Sequence, residues 1–182
     1  MQSPLALSAE LETDRLFIRK IQASDAEQVY EHYARHADLA KFLSWKPHHG
    51  AGETLSFIHN TRRKWKVGVE FTYVIFDKES GQLAGSIAAI NENGRVAIGY
   101  LVTHAFHRQG IATEAVRALV AHLRSFKSIF RIWAVTHKEN QPSRQVLEKA
   151  GFEYEGIVGD WTVFPNLNHA AADCHFYKYP IR

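Results

Sequence analysis

The sequence predicts a mixed α/β (α+β) fold, and three observations carry that prediction. Strand-type and helix-type patterns follow the order strand, two helices, antiparallel meander, then β-α-β-α-β-β. The meander, residues 71–102, holds three strand-like runs, the last two separated by Asn93-Gly94, a strong hairpin signal. Beyond it, Ala112, Ala115, Val116, Leu119, Val120 and Leu123 recur at helical spacing and form one apolar stripe.

Taken in order, residues 15–19 are a short strand. Ser24 and Glu27 are spaced as a capping box, and Val29, Tyr30, Tyr33 and Ala34 supply the apolar face of a helix over 24–36. Residues 39–52 are irregular. A second helix fits 53–65, with Leu55, Ile58, Arg62 and Trp65 on neighbouring turns and Gly68 to close it. Strands follow at 71–76, rich in aromatic and β-branched residues, at 83–90 and at 95–102. The striped helix comes next, then a strand at 129–135. A helix opens at Asn140 with a proline in its first turn and ends at Gly151. Strands at 152–157 and 173–179 complete the chain.

The chain has 182 residues, enough for one domain with a sizeable core. It is 46% hydrophobic and 23% charged, as expected of a soluble globular protein. The net charge of +3 is spread along the chain, which favours an anionic ligand slightly and argues against dedicated nucleic-acid binding. One cysteine, Cys174, forms no internal disulfide, so a reducing compartment is natural. Residues 1–8 lack the pattern of a signal peptide, and no stretch is apolar enough to span a membrane. The expectation is a cytoplasmic protein. His48-His49 on a loop lacks further ligands at metal-site spacing, so no metal is expected.

The chain is organised around residues 104–116. An apolar run, 98–102, leads through His107, Arg108, Gln109 and Gly110 into the striped helix. A first helical turn has free N–H groups and the positive end of the dipole, a ready phosphate site. An ordinary strand-to-helix turn explains this stretch equally well on its own. Neither a P-loop nor a GxGxxG motif occurs.

The turn at 107–113, together with Asn140-Gln-Pro-Ser-Arg-Gln-Val-Leu-Glu-Lys-Ala-Gly-Phe152, resembles the GNAT superfamily of acetyl-CoA-dependent N-acetyltransferases. More narrowly, it resembles the branch that includes the Rim-type enzymes, which acetylate N-terminal amines of ribosomal proteins. The resemblance covers about residues 15–179. Gly110 and Ala112 match the pyrophosphate loop, with His107 where the family has Gln or Arg. The resemblance implies one N-acetyltransferase domain over 1–182, with a mostly antiparallel twisted sheet of about seven strands, a V-shaped splay and about four flanking helices. It implies acetyl-CoA as co-substrate. Backbone of Leu101, Val102 and Thr103 would pair with the cofactor arm. N–H groups of Arg108, Gln109, Gly110, Ile111, Ala112 and Thr113 would hold the pyrophosphate. Asn140 would bond the pantetheine arm, or serve as a plain N-cap.

The family's usual acid, a tyrosine seven residues after the asparagine, is replaced by Leu147. The Rim-type branch instead implies Ser143 as donor to the CoA sulfur. The usual strand glutamate is absent from 95–100, which leaves Glu70, Glu92, Asp160, His137 and Asp173 as candidate bases. An α-amine ionises near pKa 8, against about 10.4 for lysine, so it needs less help to lose a proton. This favours an α-amine or another weakly basic amine. Trp45, Phe71, Tyr73, Trp161 and Phe164 are expected to wall the acceptor pocket, although large aromatics commonly belong to the core. The expected partner is an amine acceptor, a peptide N-terminus or small molecule, and the family often dimerises. The alternative is a non-catalytic acyl-CoA sensor or interaction module of the same fold.

Overall fold

The computed structural model describes residues 5–167 and 170–181. Residues 1–4, part of the stretch tested for a signal peptide, lie outside this, as do 168 and 169 of the late loop. One eight-stranded sheet runs through the chain in the order β1-β2-β3-β4-β5-β6-β8-β7. Its strands are β1 (Glu10–Glu12), β2 (Leu16–Lys20), β3 (Glu70–Asp77), β4 (Leu83–Glu92), β5 (Arg95–Val102), β6 (Arg131–His137), β7 (Glu153–Val163) and β8 (Ala171–Tyr179). Neighbours are antiparallel except β5 and β6. The parallel pair is the one that needs a crossover, and the striped helix supplies it.

That helix, which we label α4 (Ile111–Leu123), follows α1 (Ala26–Val29), α2 (Ala37–Ala40) and α3 (Ala51–Lys66) and precedes α5 (Gln141–Ala150). Its stripe is buried from Ala115 onward, with Ala112 half-buried at the start: Ala115, Val116, Leu119, Val120 and Leu123 are at most 2% exposed. They pack on Leu16, Ile18, Ile75, Ile87 and Val96 of the sheet. Each such aliphatic side chain contributes about 1.5–3 kcal/mol on burial. The opposite face carries a second, smaller core, in which Ile21, Val29, Tyr33, Ile58, Val74 and Leu83 join α1 and α3 to the sheet.

Three expectations are corrected. The helix expected over 24–36 is composite: a 3-10 turn at Ala23–Asp25, α1, then a π turn at Tyr30–Ala34. Asp25, not Ser24 with Glu27, organises its start. Its carboxylate accepts the Gln22 N–H at 2.7 Å and is gripped by the Arg19 guanidinium. β1 was not foreseen; three residues are too few to show a period, and its pairing with β2 makes the strand. β7 runs on to Val163 rather than stopping at 157, because register breaks beyond Tyr154 and between Val158 and Thr162 erase the alternation.

Candidate active site

β5 pairs with β4 along its whole length, but with β6 only from Arg95–Ala97 to Arg131–Trp133. Beyond Ala97 the strands part, leaving ladder groups that need another partner. The antiparallel ladder decides which groups face the gap. Thr103 N–H is committed to the Ala84 carbonyl at 2.9 Å. The Leu101 carbonyl lies against β4, where a Cβ at Gly85 would collide with it. By alternation Tyr100 and Val102 face the gap, although the Val102 carbonyl already accepts His107 Nε2 at 2.9 Å. Of the three backbones expected to meet a cofactor arm, only Val102 faces it; Tyr100 takes the place of Leu101 and Thr103. On the far side, Thr136 of β6 carries a buried hydroxyl with no partner among the described residues. A gap with free ladder groups fits an amide-bearing arm.

The gap leads to the turn before α4. Arg108 and Gly110 both take left-handed backbone, at φ 61° and 80°. The first α-helical bond is Glu114 N–H to Gly110 O at 3.0 Å, so Ile111, Ala112 and Thr113 keep free N–H groups. Alternating backbone of this kind makes an anion-binding concavity. A carboxylate beside it would repel an anion, yet Glu114 stands in this turn. Thr13 Oγ1 donates to Glu114 at 2.5 Å, and Arg15 Nε donates at 2.7 Å. Burial pushes this carboxyl up, but Thr13 and Arg15 outweigh it and hold it below its usual range. Arg15 also donates to the Gln109 carbonyl at 3.0 Å, fixing the turn against the start of β2. Alongside runs a cleft of about 620 Å³ to which Arg15, Gly110, Thr113, Arg117 and Lys149 contribute. Arg108 is exposed.

Asn140 caps α5: its side chain accepts Ser143 N–H at 3.3 Å. Ser143 Oγ lies 2.9 Å from the Tyr100 hydroxyl, which also reaches the Ser143 carbonyl at 3.0 Å. Burial pushes the Tyr100 hydroxyl well up, so it stays a proton-bearing donor at any working pH. Sequence reasoning missed Tyr100, since its partner is 43 residues away.

The opposite face of the same gap is an open trough. Ala88, Ala97 and Gly99 share that face by register, and a Cβ at Gly99 would touch nothing within 4 Å. One wall is aromatic. Trp133 and Phe176 stack nearly parallel, and Trp161, 46% exposed, stands edge-on to Phe176 at 4.8 Å. At one end His137 lies between Phe42 and Phe164. The stretch expected to be irregular, 39–52, takes in the end of α2 and the start of α3, and Asn166 joins that end of the trough to it by donating to the Ala40 carbonyl of α2 and the Trp45 carbonyl of the following loop, both at 2.7 Å. Trp45 is half-buried beside His48. Phe71 and Tyr73, expected as pocket walls, are instead fully buried under Trp65 in the core on the α4 face. Tyr73 spends its hydroxyl on the Ser8 carbonyl at 2.8 Å.

The candidate bases are largely occupied. Glu70 pairs with Lys64 at 2.7 Å, Glu92 with Arg95 at 3.2 Å and Asp173 with Lys138 at 3.0 Å. Asp160 sits at φ 50° with its N–H on Asp173. His137 is held neutral by burial, which lowers its pKa. Its Nδ1 accepts the Glu139 N–H at 3.1 Å, so the proton sits on Nε2. In that tautomer it can donate but not abstract. The buried Cys174 thiol is pushed up to about 11, which makes it a poor nucleophile.

The family model for the GNAT acetyltransferase domain matches residues 15–153. The chain is 28% identical over 156 residues to the uncharacterized N-acetyltransferase YoaA of Bacillus subtilis, covering 81% of this chain and 85% of that one. It is 26% identical over 164 residues to the [ribosomal protein uS5]-alanine N-acetyltransferase of Escherichia coli, covering 83% and 81%. Among solved structures, RimL, a ribosomal L7/L12 alpha-N-protein acetyltransferase in complex with coenzyme A, superposes with a TM-score of 0.83 at 21% identity, over 93% of this chain and 96% of that one.

Proposed function

The chain belongs to the GNAT acetyltransferase family, and from that premise we propose that it moves an acetyl group from acetyl-CoA to a primary α-amine, by direct transfer in a ternary complex within one domain spanning 1–182. The observation that carries this reading is the β5–β6 gap, which joins the anion-binding turn to the aromatic trough. Acetyl-CoA supplies the activated acyl group as a thioester. Tyr100 and Val102 offer ladder groups to its arm, in the manner of an added strand. The free N–H groups of Ile111, Ala112 and Thr113, with those of Arg108, Gln109 and Gly110, receive the pyrophosphate. The Arg108 side chain adds charge. Asn140 holds the first turn of α5, and with it Ser143.

Ser143 Oγ donates to the leaving sulfur, and Tyr100, with its hydroxyl against Ser143, sets the direction of that donation. Catalysis rests mainly on orientation. The amine enters by the trough, where Trp161 and Trp45 stand along its path. The carboxylates Glu70, Glu92 and Asp173 are already paired, which supports an acceptor that sheds its own proton near neutrality. An α-amine, with pKa about 8, does so far more readily than lysine. The uS5-alanine and L7/L12 relatives support a peptide N-terminus.

The test is a thiol-release assay over N-terminal peptides, free amino acids, polyamines and lysine side-chain amines. Release should depend on added α-amine. Trp161→Ala should raise the amine KM severalfold and leave the acetyl-CoA KM unchanged. Acetyl-CoA binding without release on any amine would leave the sensor reading in its place.

A further inference from the structure

A second cluster of cations lies away from the gap. β2 begins beside the α4 turn, where Arg15 reaches Gln109, and ends at Lys20. Five residues of strand separate the two places by about 16 Å. At the Lys20 end a cleft of about 610 Å³ opens between α3 and the β1–β2 edge, lined by Arg19, Lys20, His59 and Arg62 among others.

Of these, Arg19 is paired with Asp25, whereas Lys20 and Arg62 are held without a carboxylate partner. Lys20 Nζ lies 4.7 Å from the Trp65 ring centre. Arg62 is anchored by the Ile21 carbonyl at 3.1 Å. Asp25, the nearby buried carboxylate, is already spent on the Arg19 guanidinium and the Gln22 N–H. Glu10 is the one acidic residue among those lining the cleft. Lys64, Lys78 and Lys138, by contrast, pair with Glu70, Glu12 and Asp173. Lys20 and Arg62 have no ion pair among the described residues. Burial first, and then Arg62 and Lys66, lower the Lys20 pKa, so the three positive charges repel one another in a partly desolvated place.

We propose that this cleft is a second anion site, taking a phosphoryl or pyrophosphoryl group of a ligand distinct from the acetyl donor. A multivalent oxyanion would neutralise charges that the fold brings together and leaves uncompensated. It would also meet donors already fixed in place, so that little ordering cost remains. Arg62 presents a planar fork and Lys20 a point charge, the pairing that suits tetrahedral oxyanions. His59 and the Ser24 hydroxyl line the same cleft.

The experiment is calorimetric titration of inorganic pyrophosphate into the full chain, previously saturated with coenzyme A so that the α4 turn is filled. Should coenzyme A itself fail to bind, the Gly110→Val chain replaces the saturated form, which keeps this proposal separable from the acetyltransferase reading. One further equivalent should bind, and Lys20→Met or Arg62→Met should weaken it about tenfold, the loss of roughly one charge-assisted contact. Melting curves without anion establish that the variants fold. If they do not, Lys66→Gln decides, with an expected loss of about threefold. Binding that disappears once the α4 turn is blocked, or that persists unchanged in the folded variants, overturns the proposal.

Discussion

The two sides of the β5–β6 gap are built from different materials. The side proposed for the cofactor is backbone: left-handed residues at Arg108 and Gly110, and free N–H groups at the start of α4. The side proposed for the amine is side chain: Trp133, Phe176 and Trp161 against a floor of Ala88, Ala97 and Gly99. A backbone site depends on conformation and tolerates almost any side chain that permits it. A side-chain site depends on the identity of each residue and can be rebuilt by substitution. One side therefore suits a cofactor shared across a family, and the other an acceptor particular to one protein.

The contrast can be broken most selectively at Gly110. Left-handed backbone costs an ordinary residue about 1–2 kcal/mol, and a β-branched one more. A Cβ there would meet only Arg15, at an ordinary 3.5 Å, so the penalty is conformational. Gly110→Val should raise the acetyl-CoA KM by about tenfold or more and leave the amine KM alone. Gly110→Asn, which tolerates the conformation, should recover most of the loss. Steady-state kinetics in both substrates separates the two sides.

An effect on kcat, with no separation of the two sides, is expected where they meet. Ser143→Ala should lower kcat by about a hundredfold if the hydroxyl protonates the sulfur, with both KM values little changed. Tyr100→Phe removes only the group that directs Ser143 and should cost about tenfold in kcat. An effect on KM instead would make Tyr100 a packing residue.

The smallest effect concerns acid. His48, His122 and His137 all have pKa values lowered chiefly by burial. The unfolded chain therefore binds protons more readily, so stability is full above the ordinary value of about 6.5 and falls as pH drops through the depressed folded values. Melting temperature should decline between pH 7.5 and 5. Two of these residues belong to the amine side, and His137→Gln should flatten the decline while the pH profile of kcat/KM keeps its shape, because His137 holds its proton on Nε2.

The sequence was most legible where local chemistry dictates conformation. The bounds 95–102 match β5. Gly110 and Gly151 take the left-handed conformation that helix-end glycines favour. It was least legible where distance or symmetry hides the cause. Five successive residues of β3, from Phe71 to Ile75, are buried, so no alternation told which aromatics face a pocket. Phe71 and Tyr73 were misplaced for that reason. The Trp161 wall depends on register breaks in β7, and the Tyr100–Ser143 bond joins elements far apart in the chain.

Between β5 and β6 the sheet is held by three residue pairs alone. The five strands before this seam and the three after it are thus stitched at one end and open at the other. Such a seam is the natural place for slow breathing between the two halves. An arm seated there would act as the missing strand and splice them. Hydrogen exchange along β5 and β6 should then slow together when the seam fills, making the cofactor a mechanical part of the protein as well as its reagent.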